Sequence, residues 1–139
     1  MSRGMLSVVI PAYNEALRLP ATLARLAAHL GGREHEILVV DDGSTDATAE
    51  VARAASGAVR VLRHEPNRGK GYAVRRGMLA ASGARRLLTD ADLSTPIEDL
   101  ALLEAALDAG SDVAIGSRAV RGARVEVHQG VHREAMGRL

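Results

Sequence analysis

Apolar residues in this chain come in two rhythms. Short apolar runs occur at "LSVVI" (6–10), "EILVV" (36–40) and within "RRLLTD" (85–90) and "DVAIGS" (112–117), and "AVRVLR" (58–63) alternates. Runs of this length, bounded by Gly, Pro and Asp, read as strands buried on both faces. Between them lie longer stretches with helical spacing. In 16–30, Leu19, Leu23, Leu26 and Leu30 repeat at three and four residues, Pro20 suits an early turn, and Gly31-Gly32 ends the helix. Residues 44–56 form an Ala-rich helix with Ser44 or Thr45 as its cap. A third helix follows "NRGKG" to about Ser82, closed by Gly83, and a fourth runs from Thr95-Pro96 to Asp108, ended by Gly110. Strands alternating with helices predict an α/β fold, a mostly parallel sheet with helices on both faces. The first strand is expected to stop at Pro11.

The pattern fades after the fifth run. Residues 1–117 are expected to form one α/β domain, and 118–139 an Arg-rich segment that is disordered or needs a partner. His128 and His132 share a metal-like i, i+4 spacing, but Gly130 between them argues against a helix. The net charge of +1 gives no electrostatic case for nucleic acid. With no cysteine, disulfides and thiolate chemistry are excluded. No apolar run is long enough for a membrane span or a signal peptide, so a cytoplasmic location is expected. Phe and Trp are absent, Tyr13 and Tyr72 are the two aromatics, and Lys70 is the one lysine among eighteen basic residues. Tyr72, at a helix start, reads as packing, and His29, His35 and His64 are given no role.

Every predicted strand leads into a polar cluster: "PAYNE" (11–15), "DDGSTD" (41–46), "NRGKG" (67–71), "DAD" (90–92) and "GSR" (116–118). In open α/β sheets these ends share one rim, where ligands bind. Asp90 and Asp92 so close together repel unless a positive group sits between them. A divalent metal is one answer and a solvated turn another. "NRGKG" lacks the Walker A ending and no GxGxxG occurs, so phosphate binding would need another device. Mg²⁺ or Mn²⁺ on Asp90 and Asp92 would supply it, since hard cations take carboxylate and phosphate oxygens together.

The order "PAYNE", "DDGSTD", "NRGKG", "TDADLS", "GSR" resembles family-2 glycosyltransferases of the GT-A fold. It is most similar to the dolichyl- or polyprenyl-phosphate branch, especially its β-glucosyltransferases. The resemblance implies that Pro11, Ala12, Tyr13 and Glu15 line the nucleoside pocket, with Tyr13 near the base. It implies that Asp42 accepts a hydrogen bond from the uracil imide, supported by Asp41, and that Lys70 reaches the nucleotide or its diphosphate. Asp90 would face the sugar or ribose, and Asp92 would be the main ligand of Mg²⁺ or Mn²⁺. Arg118, with Arg133 as a second, would meet the acceptor phosphate. Where some relatives carry Gln, this chain has Ser94, which could reach a metal only through water.

The implied reaction is inverting transfer of a hexose, glucose from UDP-glucose, to a lipid phosphate at the membrane surface, with Asp90 and Arg118 as the groups at the reacting atoms. A phosphate acceptor is already anionic near neutral pH, so positioning and charge stabilisation could replace a carboxylate base. The acceptor half looks short, as if the chain were C-terminally truncated. In this fold a later antiparallel strand usually inserts between strands four and five; without it, an exposed edge predicts a homodimer or a mobile tail after Arg118. The alternative is a non-catalytic nucleotide-sugar-binding module acting through a partner. A nucleotidyltransferase would want a Gly-rich N-terminal loop, which "PAYNE" is not.

Overall fold

The computed structural model describes residues 4–55 and 57–116. Arg118, Arg133 and the His128/His132 pair lie outside the described residues. The chain divides into two compact units, one ending at Glu98 and one beginning at Asp99.

The first unit contains β1 (Leu6–Ala12), α1 (Leu19–Leu30), β2 (His35–Asp42), α2 (Thr48–Ala54), β3 (Val59–His64), α3 (Lys70–Ala80) and β4 (Arg85–Leu88). All pairings are parallel, in the order β3-β2-β1-β4. The sheet starts at β1 and grows both ways, so its order reverses between β1 and β4. Alternation along the central strands divides the core. Val9, Leu38 and Val40 pack with Ala73 and Ala81 beneath α3. Leu6, Val8, Ile10, Ile37 and Val39, equally buried, occupy the other face. Helix α2 packs against β2, β3 and α1. Helices therefore cover both faces, as the unbroken apolar runs require.

Several boundaries depart from expectation. Strand β1 runs through Pro11, which sits opposite Val40 in register. The Val9 carbonyl accepts the Thr89 N–H on the β4 side, so the Pro11 nitrogen points the same way, beyond the last β1–β4 pair at Val9 and Leu88. No ladder donor is needed there, and proline costs nothing. Strand β2 continues through Asp41 and Asp42, because β1 and β3 still flank it. Helix α2 begins at Thr48 rather than at Ser44 or Thr45, whose polar groups are used in the loop. Gly83 does not cap α3; it passes so close to β1 that a Cβ would lie 2.7 Å from the Met5 carbonyl and the Ser7 nitrogen.

The second unit holds α4 (Leu100–Asp108), preceded by a 3-10 turn at Ile97–Asp99. Gly110, at φ 111°, ends α4 as expected: its N–H reaches the Leu107 carbonyl at 3.0 Å. The predicted fifth strand does not form over 112–116, where Val113 and Ile115 are exposed. An apolar run becomes a strand only with a neighbour to pair with, and none pairs with it among the described residues.

Candidate functional site: a cleft where the strand order reverses

A cleft of about 310 Å³ opens at the C-terminal ends of the strands. Pro11, Ala12, Tyr13 and Glu15 line it from the end of β1, and Asp42 from β2. Asn67, Gly69, Lys70 and Ala73 line it from the third loop and α3, and Asp90 and Ala91 from the loop after β4. Seven of the residues singled out in the sequence thus meet in one place, at the switch point of a doubly wound sheet.

Two loops are held against each other to shape this rim. Asn14 sits in the left-handed region at φ 53°, which asparagine tolerates better than most residues. Its Oδ1 accepts the Thr45 N–H at 2.8 Å, and its own N–H donates to Ser44 Oγ at 2.9 Å. The Glu15 N–H donates to Thr48 Oγ1 at 2.9 Å and the Ala16 N–H to Asp46 Oδ2 at 3.2 Å. Burial pushes the Asp46 carboxyl up, but bonds from the Thr48 hydroxyl and N–H and from Ala16 hold it below the usual range. Gly43, at φ 70°, lets the second turn approach the third loop, where a Cβ would meet the Asn67 nitrogen at 2.7 Å.

The paired aspartates of β2 face opposite ways, as strand neighbours must. Asp42 enters the cleft. Its Oδ1 accepts the Arg68 N–H at 2.8 Å, and its Oδ2 the Gly69 N–H at 3.0 Å. Asp41 is fully buried and does not line the cleft. It accepts the Ser44 N–H at 3.0 Å and lies 3.7 Å from the Arg63 guanidinium. Its part is to brace the turn behind Asp42.

The acidic pair is neutralised by side chains. Lys70 Nζ is 2.6 Å from Asp90 Oδ1, and Arg18 Nη1 is 3.9 Å from Asp92 Oδ2. Asp92 stands outside the cleft lining and accepts the Ser94 N–H at 3.0 Å. Between them Thr22 Oγ1 donates to the buried Ala91 carbonyl at 2.5 Å, and Leu93 adopts φ 47°, so the loop is tied to α1 and sharply bent. No group of three or more His, Asp or Glu able to hold a metal occurs among the described residues. Two accessible carboxylates nevertheless suit Mg²⁺ or Mn²⁺, which take one or two protein carboxylates and complete their shell with substrate phosphates and water.

Sequence reasoning missed His64. Its Nε2 lies 2.6 Å from Asp42 Oδ1. The signal was present in the strand register: His64 ends β3 opposite Asp42. Tyr72, expected to pack, meets the His64 ring edge-on at 4.8 Å but stays 40% exposed. No helix among the described residues is long and apolar enough to cross a membrane.

A parallel sheet with helices on both faces and a polar rim at its switch point is an arrangement that nucleotide-binding α/β proteins share. Residues 7–135 match the family described as "Glycosyl transferase family 2", and the chain belongs to that family. It is 44% identical to a dolichol-phosphate mannosyltransferase of Pyrococcus furiosus, over 86% of this chain and 35% of that protein. It is 46% identical to a dolichyl-phosphate beta-glucosyltransferase of Drosophila melanogaster, over 82% of this chain and 40% of the relative. Among solved structures, glucosyl-3-phosphoglycerate synthase of Mycobacterium tuberculosis, in complex with Mn²⁺, UDP and glucosyl-3-phosphoglycerate, matches at TM-score 0.58 and 29% identity. That match covers 72% of this chain and 40% of the other. The Pyrobaculum calidifontis mannosyltransferase in complex with GDP-Man and Mn²⁺ matches at TM-score 0.59 and 28% identity, over 71% of this chain and 30% of the other. The chain spans well under half the length of these relatives.

Proposed function

We propose that this chain is the donor-binding part of a metal-dependent glycosyltransferase that moves glucose from UDP-glucose to a polyprenyl or dolichyl phosphate, with inversion. The observation that carries the reading is the meeting of Tyr13, Glu15, Asp42, Lys70 and Asp90 in one cleft, in a family-2 chain. Tyr13, 48% exposed, offers a ring face to the base. Asp42 accepts from the imide N–H of uracil. Lys70 exchanges Asp90 for the diphosphate, a point charge suited to phosphate. Asp90 and Asp92 hold Mg²⁺ or Mn²⁺, which when bound supplies Lewis-acid stabilisation of the departing diphosphate. Arg118, with Arg133 as a second such arginine, meets the acceptor phosphate. The acceptor places the reaction at the cytoplasmic face of a membrane, with the protein held peripherally. Strand β4, paired only with β1 among the described residues, offers the edge for a homodimer.

The test is transfer from radiolabelled UDP-glucose to a short polyprenyl phosphate, in Mn²⁺ and in EDTA, by the chain and by Arg118→Ala. Metal-dependent glycolipid formation that fails in the variant is expected. Transfer that persists undiminished in Arg118→Ala contradicts the assigned acceptor role. A second reading is nucleotide-sugar binding without transfer, by a module that acts through a partner. Binding without product would select it.

A further inference from the structure

Asp42 is more heavily engaged than reading a base requires. Oδ1 accepts both the Arg68 N–H at 2.8 Å and the His64 ring at 2.6 Å, and Oδ2 accepts the Gly69 N–H at 3.0 Å. A carboxylate has about four acceptor positions, two on each oxygen. Oδ1 is therefore full, and Oδ2 keeps one.

The direction of the His64 bond follows from its other neighbour. Arg76 Nη1 lies 2.9 Å from His64 Nδ1. A guanidinium only donates, so Nδ1 must accept, and the ring proton sits on Nε2, which donates to Asp42. Tyr72 packs edge-on against the imidazole, and Arg68 stacks over the Tyr72 ring at 5.1 Å. The imidazole is held in this orientation from both ends.

We infer that His64 is a positioning residue that selects the donor's nucleobase. By filling the second acceptor position of Oδ1, it leaves Asp42 a single free acceptor. One acceptor matches a base edge with one N–H between two carbonyls, as in uracil. It does not match the two adjacent donors of guanine, which pair with both oxygens of a carboxylate. The inference rests on the proposed role of Asp42 at the base and deepens it: solved relatives carry UDP in one case and GDP-Man in another. His64 gives a reason for this chain to take the uridine donor.

The test is calorimetric titration of the full chain with UDP and with GDP, each with Mn²⁺, for the unaltered protein, His64→Leu and His64→Gln. Circular dichroism checks that each variant is folded. UDP is expected to bind about tenfold tighter than GDP, the scale of one well-made base contact. His64→Leu should cut that ratio by roughly tenfold, because without the imidazole's hold the Asp42 carboxylate can turn Oδ1 toward the second guanine donor. His64→Gln should restore the ratio, since its amide donates to Asp42 and accepts from Arg76. If His64→Leu does not fold, His64→Asn, too short to reach Asp42, takes its place. An unaltered protein that binds GDP as tightly as UDP, or a ratio unmoved by loss of the imidazole, overturns the inference and leaves donor binding standing. A folded chain that binds neither nucleotide overturns the proposed function, and the inference with it.

Discussion

Where the strands begin, Glu36 accepts the Ser7 hydroxyl at 2.6 Å and the Ser82 N–H at 2.6 Å, and Ser7 Oγ accepts the Gly83 N–H at 2.7 Å. Where the strands end, Asp90 is paired with Lys70, both half exposed, in the cleft that Tyr13 also lines. Both clusters join carboxylates to donors across neighbouring elements. The first is closed: burial pushes the Glu36 carboxyl up, yet Ser7, Ser82, Arg60 and Arg86 together hold it below the usual range. Its partners have no substitutes, so it fixes the register of β1, β2 and the turn before β4. At the second end, the proposed function has each partner exchanged, Lys70 for a metal and Asp90 for a phosphate. A polar cluster is a site when its satisfaction is replaceable and its groups reach solvent.

Substitutions at the two ends should therefore separate function from stability. The largest effect is expected from Asp92→Asn, which should lower glucose transfer about a hundredfold or more while leaving the melting temperature within a few degrees. Steady-state assay and thermal unfolding on one preparation would check this. A large drop in stability would show that Asp92 belongs to the framework. At the closed end, Gly83→Val should cost about 2–4 kcal/mol, because its side chain has to displace the Ser7 backbone. Urea unfolding measures the loss, and UDP affinity of the molecules still folded should not change.

Asn14→Ala sits between these cases. It removes the acceptor for Thr45 and leaves the residue at positive φ without an asparagine, at a cost of about 1–2 kcal/mol. Because Asn14 joins the loops carrying Tyr13 and Asp42, donor affinity should fall with stability, unlike at Gly83. The smallest effect is that of acid. The Glu36 and Asp46 carboxyls are held below their ordinary range, so each stabilises the fold above its unfolded pKa. That contribution is lost as pH falls through the lower folded value, from about pH 5 downward. Glu36→Gln should flatten this part of the stability curve, and an unchanged slope would assign it to other groups.

The fold was legible because its signals are local. Continuous apolar runs such as "LSVVI" and "EILVV" marked the buried strands, and their polar exits marked the rim. What could not be read were choices made between distant segments. Ser44 looks like a helix cap until Asn14 takes its hydroxyl. Pro11 looks like a strand end until β4 stops short of it. "DVAIGS" has a strand's composition and finds no strand to pair with among the described residues. His64 looks like an edge histidine until the β2–β3 register sets it against Asp42. Asp41 and Asp42 are adjacent letters with opposite destinations, which strand alternation foretells once β2 is known to include them.

The most direct measurement is isothermal titration of UDP-glucose into the chain in Mn²⁺ and in EDTA, beside Asp92→Asn. Saturable binding in Mn²⁺ that disappears in EDTA and in the variant is expected if the open rim is the donor site. A folded chain that binds UDP-glucose under none of these conditions, or equally under all, would contradict a metal-dependent donor site at Asp90 and Asp92.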